Sequence, residues 1–177
     1  MRRLEAALAG IRRWDERNCS HMNRALGHPG ACALFRAAGR LGDGLAWYAL
    51  MLCLLLVDPH AAAVPVLHML LTGLAGTLAY KALKRSAHRP RPFEVHAHIR
   101  AGDAPLDRFS FPSGHTLHAA AFTTVALAYY PALAPLLVPF AALVAVSRVV
   151  LGLHYPSDVL AGAALGTAIA AASLAVL

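Results

Sequence analysis

Three short stretches concentrate the residues that could do chemistry. Lys84 to Pro92 reads KRSAHRPRP and gathers Lys84, Arg85, Arg89 and Arg91 ahead of two prolines that would stop a helix. Phe111 to Thr116 reads FPSGHT. Pro112 suits a first helical turn there, and Ser113 and Gly114 would leave backbone N–H groups free at a helix start, a ready anion site. Ser147 to Asp158 reads SRVVLGLHYPSD and sets Arg148, His154 and Asp158 at the junction of two apolar runs. Each stretch alone has a plain explanation: a basic anchor touching anionic lipid, a helix cap, an interfacial histidine, a first-turn carboxylate favoured by the helix dipole. Together they supply cations, N–H donors, two histidines (His115 and His154) and one aspartate. That inventory can hold a phosphate and transfer it.

The elements that must position these groups are apolar helices. The chain has 177 residues, 58% of them hydrophobic and only 14% charged, against roughly a quarter charged in a typical soluble protein. The apolar residues come in five blocks, approximately 41–57, 61–80, 114–130, 132–152 and 158–177. A hydrocarbon core of ~30 Å needs about 20 helical residues at ~1.5 Å each. The expected fold is all-α: an integral membrane helical bundle with about five transmembrane helices, forming one domain over 1–177. Residues 41–177 would be its transmembrane catalytic core, and a buried soluble bundle is the alternative. Residues 1–40 would form an amphipathic interfacial segment. In it Leu4, Leu8, Ile11, Trp14, Met22 and Leu26 recur at helical spacing opposite Arg12, Arg13, Glu16 and Arg17. No secretory signal peptide is expected. Three cysteines without a CxxC spacing indicate neither a disulfide framework nor a zinc site.

With five spans, all three clusters reach one membrane face, and so does every basic residue. Eight lysines and arginines precede the first span, seven lie between the second and third, and Arg148 ends the fourth. The opposite turns, around Asp58-Pro59-His60 and Tyr130-Pro131, carry none. The positive-inside rule places the basic face in the cytoplasm, so the expected location is a bacterial inner membrane with the site facing the cytoplasm. An arginine at the bilayer centre costs ~2.5–3.5 kcal/mol on insertion scales. Near a helix end and facing a phosphate, Arg148 would cost much less.

Lys84, six residues, Arg91-Pro92; then Pro112-Ser113-Gly114-His115; then Ser147-Arg148, five residues, His154, three residues, Asp158. These resemble the three signature motifs of the type-2 phosphatidic acid phosphatase family, membrane lipid phosphatases related to vanadium haloperoxidases. Every signature position is filled, in order. The resemblance runs directly from Lys84 to Asp158, extends by helical pattern to about Leu177, and does not cover the first forty residues. Many bacterial members have six spans; here the first is replaced by the arginine-rich segment, so the route of substrate entry is not implied.

The resemblance implies that His154 attacks phosphorus to form a phosphohistidine and that Asp158 fixes its tautomer. It implies that His115 protonates the leaving group. Lys84, Arg91, Arg148, Ser113 and the Gly114 N–H would hold the phosphate oxygens, with no metal or other cofactor. The implied partners are the bilayer and a lipid phosphate substrate, either a polyprenyl phosphate or diphosphate or a phosphatidic acid or phosphatidylglycerol phosphate; no nucleic acid is expected. The alternatives are a catalytically silent lipid-binding or transport component, against which the intact His115, His154 and Asp158 argue, and a haloperoxidase, against which the spans argue. His118, one turn beyond His115, is a weaker pocket candidate. His96 and His98 lack the companions of a metal site, and Asp103 and Asp107 read as loop solvation.

Overall fold

The computed structural model describes residues 2–176, the side chains of Arg2 and Leu4 excepted, and is helical almost throughout. The amphipathic expectation for Leu4 therefore lies outside the described side chains. Helix α1 (Arg2–Asn23) is followed by α2 (Pro29–Arg40), and α2 passes through a kink at Leu41–Leu45 into α3 (Ala46–Val57). Asp43 and Gly44 break the helical dihedrals there, with Gly44 at φ 125°, a region open to glycine at little cost. Next come α4 (Pro59–Ala87), the short α5 (Pro92–Val95), α6 (Gly114–Tyr129), α7 (Ala134–Val150) and α8 (Pro156–Leu174). Asp58 starts α4 as an N-cap whose carboxylate accepts from the Ala61 N–H at 3.0 Å.

Four helical runs among the described residues are long and apolar enough to cross a bilayer: Pro29–Val57, Pro59–Val95, Pro131–Val150 and Pro156–Leu174. The first begins twelve residues before its apolar block, because α2 continues into α3 and lies along α7. The remaining block became α6, whose sixteen residues reach only ~24 Å. It is the central helix, packed on α4, α7 and α8. Its tightest neighbour is α8, where Gly162 and Gly166 sit four apart. A Cβ on Gly162 would lie 2.5 Å from the Ser113 carbonyl oxygen, and one on Gly166 would collide with that of Leu117. Small residues at this spacing let two backbones approach in lipid, where the hydrophobic effect does not draw helices together.

Apolar packing fills the middle of the bundle, with Trp47 between Phe122 and Phe140 at 5.5 and 5.4 Å between ring centroids. Toward one end, buried His68 bonds Tyr129 Oη and Ser173 Oγ at 3.0 and 2.8 Å, tying α4, α6 and α8 together. Tyr130 Oη donates to the Ala61 carbonyl at 3.5 Å, so the turns after α3 and α6 meet at that end. The three polar clusters gather at the other.

The N-terminal helix turns a further face to the protein. Leu8, Ile11 and Trp14 are indeed exposed, but the face packed on the protein is the polar stripe Asp15, Cys19, Asn23. Asn23 accepts from the Arg100 N–H and donates to the carbonyls of Arg100 and Val150, pinning the loop after α5 to the end of α7.

Candidate active site

A cavity of about 650 Å³ opens at the polar end of the bundle. Lys84 and Arg91 enter from the end of α4 and the start of α5, Gly114 and His115 from the first turn of α6, Arg148 from the last turn of α7, and His154 from the α7–α8 turn. The structure thus brings together six of the eight expected residues at the cavity wall.

His154 is held from behind. Its ring is 2% exposed, and Nδ1 lies 2.7 Å from the Ser110 carbonyl oxygen. A carbonyl can only accept, so this contact places the proton on Nδ1 and leaves the Nε2 lone pair facing the site. Nε2 lies 3.4 Å from Arg91 Nη1. Burial lowers the His154 pKa well below the ordinary histidine value, reinforced by the charges of Arg148, Arg91 and Lys84 and opposed by the Ser110 carbonyl. The surroundings therefore favour the neutral ring.

Asp158 does not take the expected direct contact. Its Oδ2 is 3.9 Å from His154 Nδ1 and accepts instead from the Tyr155 N–H at 2.8 Å. His154 precedes α8 while Asp158 is its third residue, so the carboxylate turns back to cap its own helix. Its Oδ1 accepts from Arg89 at 2.6 Å. Ser113 also differs: it is the N-cap of α6, fully buried, with its hydroxyl paired to Thr116 Oγ1 at 3.0 Å. Pro112 stands outside the helix, two residues before its first turn. His118 does line the cavity, with Nε2 3.0 Å from Thr77 Oγ1.

The three cations are buried, with Lys84, Arg91 and Arg148 at 7%, 2% and 4% exposure. Arg91 is fixed by backbone: Nη1 donates to the Leu153 carbonyl at 2.7 Å, and Nη2 and Nε to that of Asp107 at 2.9 and 3.2 Å. Arg148 is the unmatched one. Its Nε has no hydrogen-bond partner, a costly state for a buried charged group unless a ligand completes it.

Four groups escaped the reading of the sequence. Asp43, from the α2–α3 kink, stands 3.3 Å from His115 Nε2; an acidic residue between two glycines at the head of an apolar block was its signal. Asp107 is more than a solvated loop residue: its side chain is partly exposed, yet its carboxylate bridges Lys84 and Arg91. The excess of cations over acids in the motifs hinted at such a partner. Asp15 of α1, fully buried, binds Arg89 at 2.7 Å and accepts from the Ser157 N–H at 2.9 Å. Arg89 therefore clamps Asp15 and Asp158 together beneath the site. The Ser110 carbonyl had no sequence signal at all.

Known proteins carry the same frame. The decaprenylphosphoryl-5-phosphoribose phosphatase of Mycolicibacterium smegmatis is 35% identical over 142 residues, 77% of this chain and 73% of that protein. The lipid A 1-phosphatase of Rhizobium johnstonii is 36% identical over 96 residues, 52% of this chain; the aligned part spans only 39% of that longer relative. Among solved structures, the transmembrane PAP2-type phosphatidylglycerolphosphate phosphatase of Bacillus subtilis superposes with a TM-score of 0.73 at 26% identity, covering 94% of this chain and 86% of that one. Aquifex aeolicus LpxE superposes with a TM-score of 0.71, also at 26% identity, covering 88% and 93%. These likenesses and the apolar helices make the chain an integral membrane protein. The model of the PAP2 superfamily matches residues 64–177, which contain all three polar clusters and both histidines, and the chain belongs to that superfamily.

Proposed function

We propose that the protein hydrolyses the phosphate end group of a membrane lipid through a phosphohistidine. The observation that carries this reading is the trio of buried cations around a neutral His154, with Arg148 left short of a partner. His154 Nε2 attacks phosphorus while the bond to the lipid oxygen breaks, and His115, protonated once the bound phosphate offsets the burial and cations that otherwise favour its neutral form, gives its proton to that oxygen. Water then attacks the phosphohistidine, His115 takes the water's proton, and orthophosphate leaves with His154 restored. Lys84, Arg91, Arg148 and the Gly114 N–H hold the phosphate oxygens. Asp158 acts as a positioning residue: its charge near Nδ1 favours the cationic phosphorylated ring, and its cap fixes the turn that carries His154. Asp43 is suited to hold the proton on His115.

The names of the relatives point to candidate lipids with a phosphate on a polyprenyl-linked sugar, on lipid A or on phosphatidylglycerol; phosphatidic acid and polyprenyl diphosphates belong with them. The test is phosphate release in detergent across such lipid monophosphates and diphosphates. Release that is unaffected by EDTA and inhibited by vanadate is expected. Absence of release from every lipid would overturn the reading in favour of a silent lipid-binding protein.

The charge asymmetry supports a site on the cytoplasmic face of a bacterial inner membrane, since setting aside Lys84, Arg91 and Arg148 still leaves thirteen basic residues on that side and none in the opposite turns. A reporter active only in the cytoplasm, fused after Leu177, should be silent; activity would overturn this orientation.

A further inference from the structure

We infer that Asp107 is a resident anion of the phosphate site, which the substrate's phosphate displaces and which in turn helps expel product phosphate. This rests on the phosphatase reading above. The carboxylate is placed as a phosphate would be. Both its oxygens lie against Lys84 Nζ, at 2.6 and 2.5 Å, and Oδ1 also accepts from Arg91 Nη2 at 2.7 Å. Two cations that line the cavity are thus already engaged by an internal oxyanion, at the face where His154 Nε2 looks out. A phosphate cannot bind both fully while the carboxylate stays.

The contacts also show what would move. Arg91 keeps three bonds to backbone carbonyls, two of them to Asp107 itself, so neither the guanidinium nor the loop backbone depends on the carboxylate. Lys84 differs: Asp107 is its ion-pair partner. The Asp107 side chain is 38% exposed, which leaves room to swing into solvent by rotation about its own side-chain bonds. The exchange therefore needs no opening of the bundle. An empty site with Lys84 and Arg91 buried and unpaired would be costly; Asp107 neutralises it between turnovers. A carboxylate bears one negative charge and a monoester phosphate up to two, so the substrate is the stronger ligand for the three cations.

A competitor present nine-tenths of the time weakens apparent affinity about tenfold. Vanadate and orthophosphate binding, measured by calorimetry on the detergent-solubilised protein, should therefore tighten about tenfold in Asp107→Asn and Asp107→Ser, and orthophosphate should become a correspondingly stronger product inhibitor. Unchanged or weaker binding would overturn the inference and make Asp107 a fixed positioning residue for Lys84. Should both variants misfold, the wild type decides: carbodiimide labelling of Asp107, read by mass spectrometry, should accelerate when vanadate is added, and protection by vanadate would overturn the displacement. If the wild type neither binds vanadate nor releases lipid phosphate, the failure lies in the phosphatase reading beneath.

Discussion

The two histidines of the site share burial and the charges of Arg148, Lys84 and Arg91, but differ in what stands behind each ring. His154 is backed by a main-chain carbonyl and faced by cations, with the nearest carboxylate at 3.9 Å. His115 meets a carboxylate directly, Asp43 at 3.3 Å, and that carboxylate is 46% exposed. A carbonyl fixes a tautomer without adding charge, which suits a nucleophile that must stay neutral. A carboxylate favours a protonated ring, which suits an acid, but at His115 it works against burial and the charges of Arg148, Lys84 and Arg91, which push the pKa down to about 3. The two proposed roles, nucleophile and acid, are thus assigned by what stands behind each ring.

The strongest way to break this contrast is His154→Ala, expected to reduce phosphate release by about 10⁴-fold or more and to abolish acid-labile phosphate on the protein, as loss of a covalent nucleophile should. Next is His115→Asn, expected to cost about 10³-fold on a lipid alkyl ester. On an aryl phosphate, whose leaving group needs no proton, the same variant should lose far less. An equal loss on both substrates would remove His115 from the acid role. Asp43→Asn should cost about tenfold on the alkyl ester, the worth of ~1.4 kcal/mol of charge interaction, and little on the aryl one. The smallest effect concerns pH. The lowered His154 pKa means that the ring stays unprotonated as pH falls through the ordinary histidine range near 6.5. After correction for the substrate's own ionisation, the acid limb of kcat/KM due to the nucleophile should therefore lie below pH 6.5. A midpoint at or above it would show that burial and the three cations do not govern His154.

The contrast also shows what could be read from the chain. Lys84, Arg91, His115, Arg148 and His154 were legible because their spacing against apolar blocks puts them at helix ends on one face, and those blocks did become α3, α4, α6, α7 and α8. What stands behind each histidine was not. The Ser110 carbonyl lies 44 residues from His154 and offers no side chain to recognise. Asp43 lies 72 positions from His115 and meets it only because Gly44 bends the α2–α3 path. Asp158 misled because its spacing from His154 suggested a pair, whereas a carboxylate at the third position of a helix answers first to that helix's own N-terminus. The polar stripe of α1 was hidden by a louder apolar one on the adjacent face.

The Asp15 contacts bear on how this protein can be divided or recombined. The superfamily match begins at residue 64, yet a carboxylate from the first helix holds Ser157 and Arg89, and Arg89 holds Asp158. The recognisable part is therefore not a portable part. A chimera that grafts residues 64–177 onto another protein's leading helices would bring every motif residue and still lack the strut under the α8 start. Exchange between relatives should succeed only where the incoming leader supplies an acid at the place of Asp15.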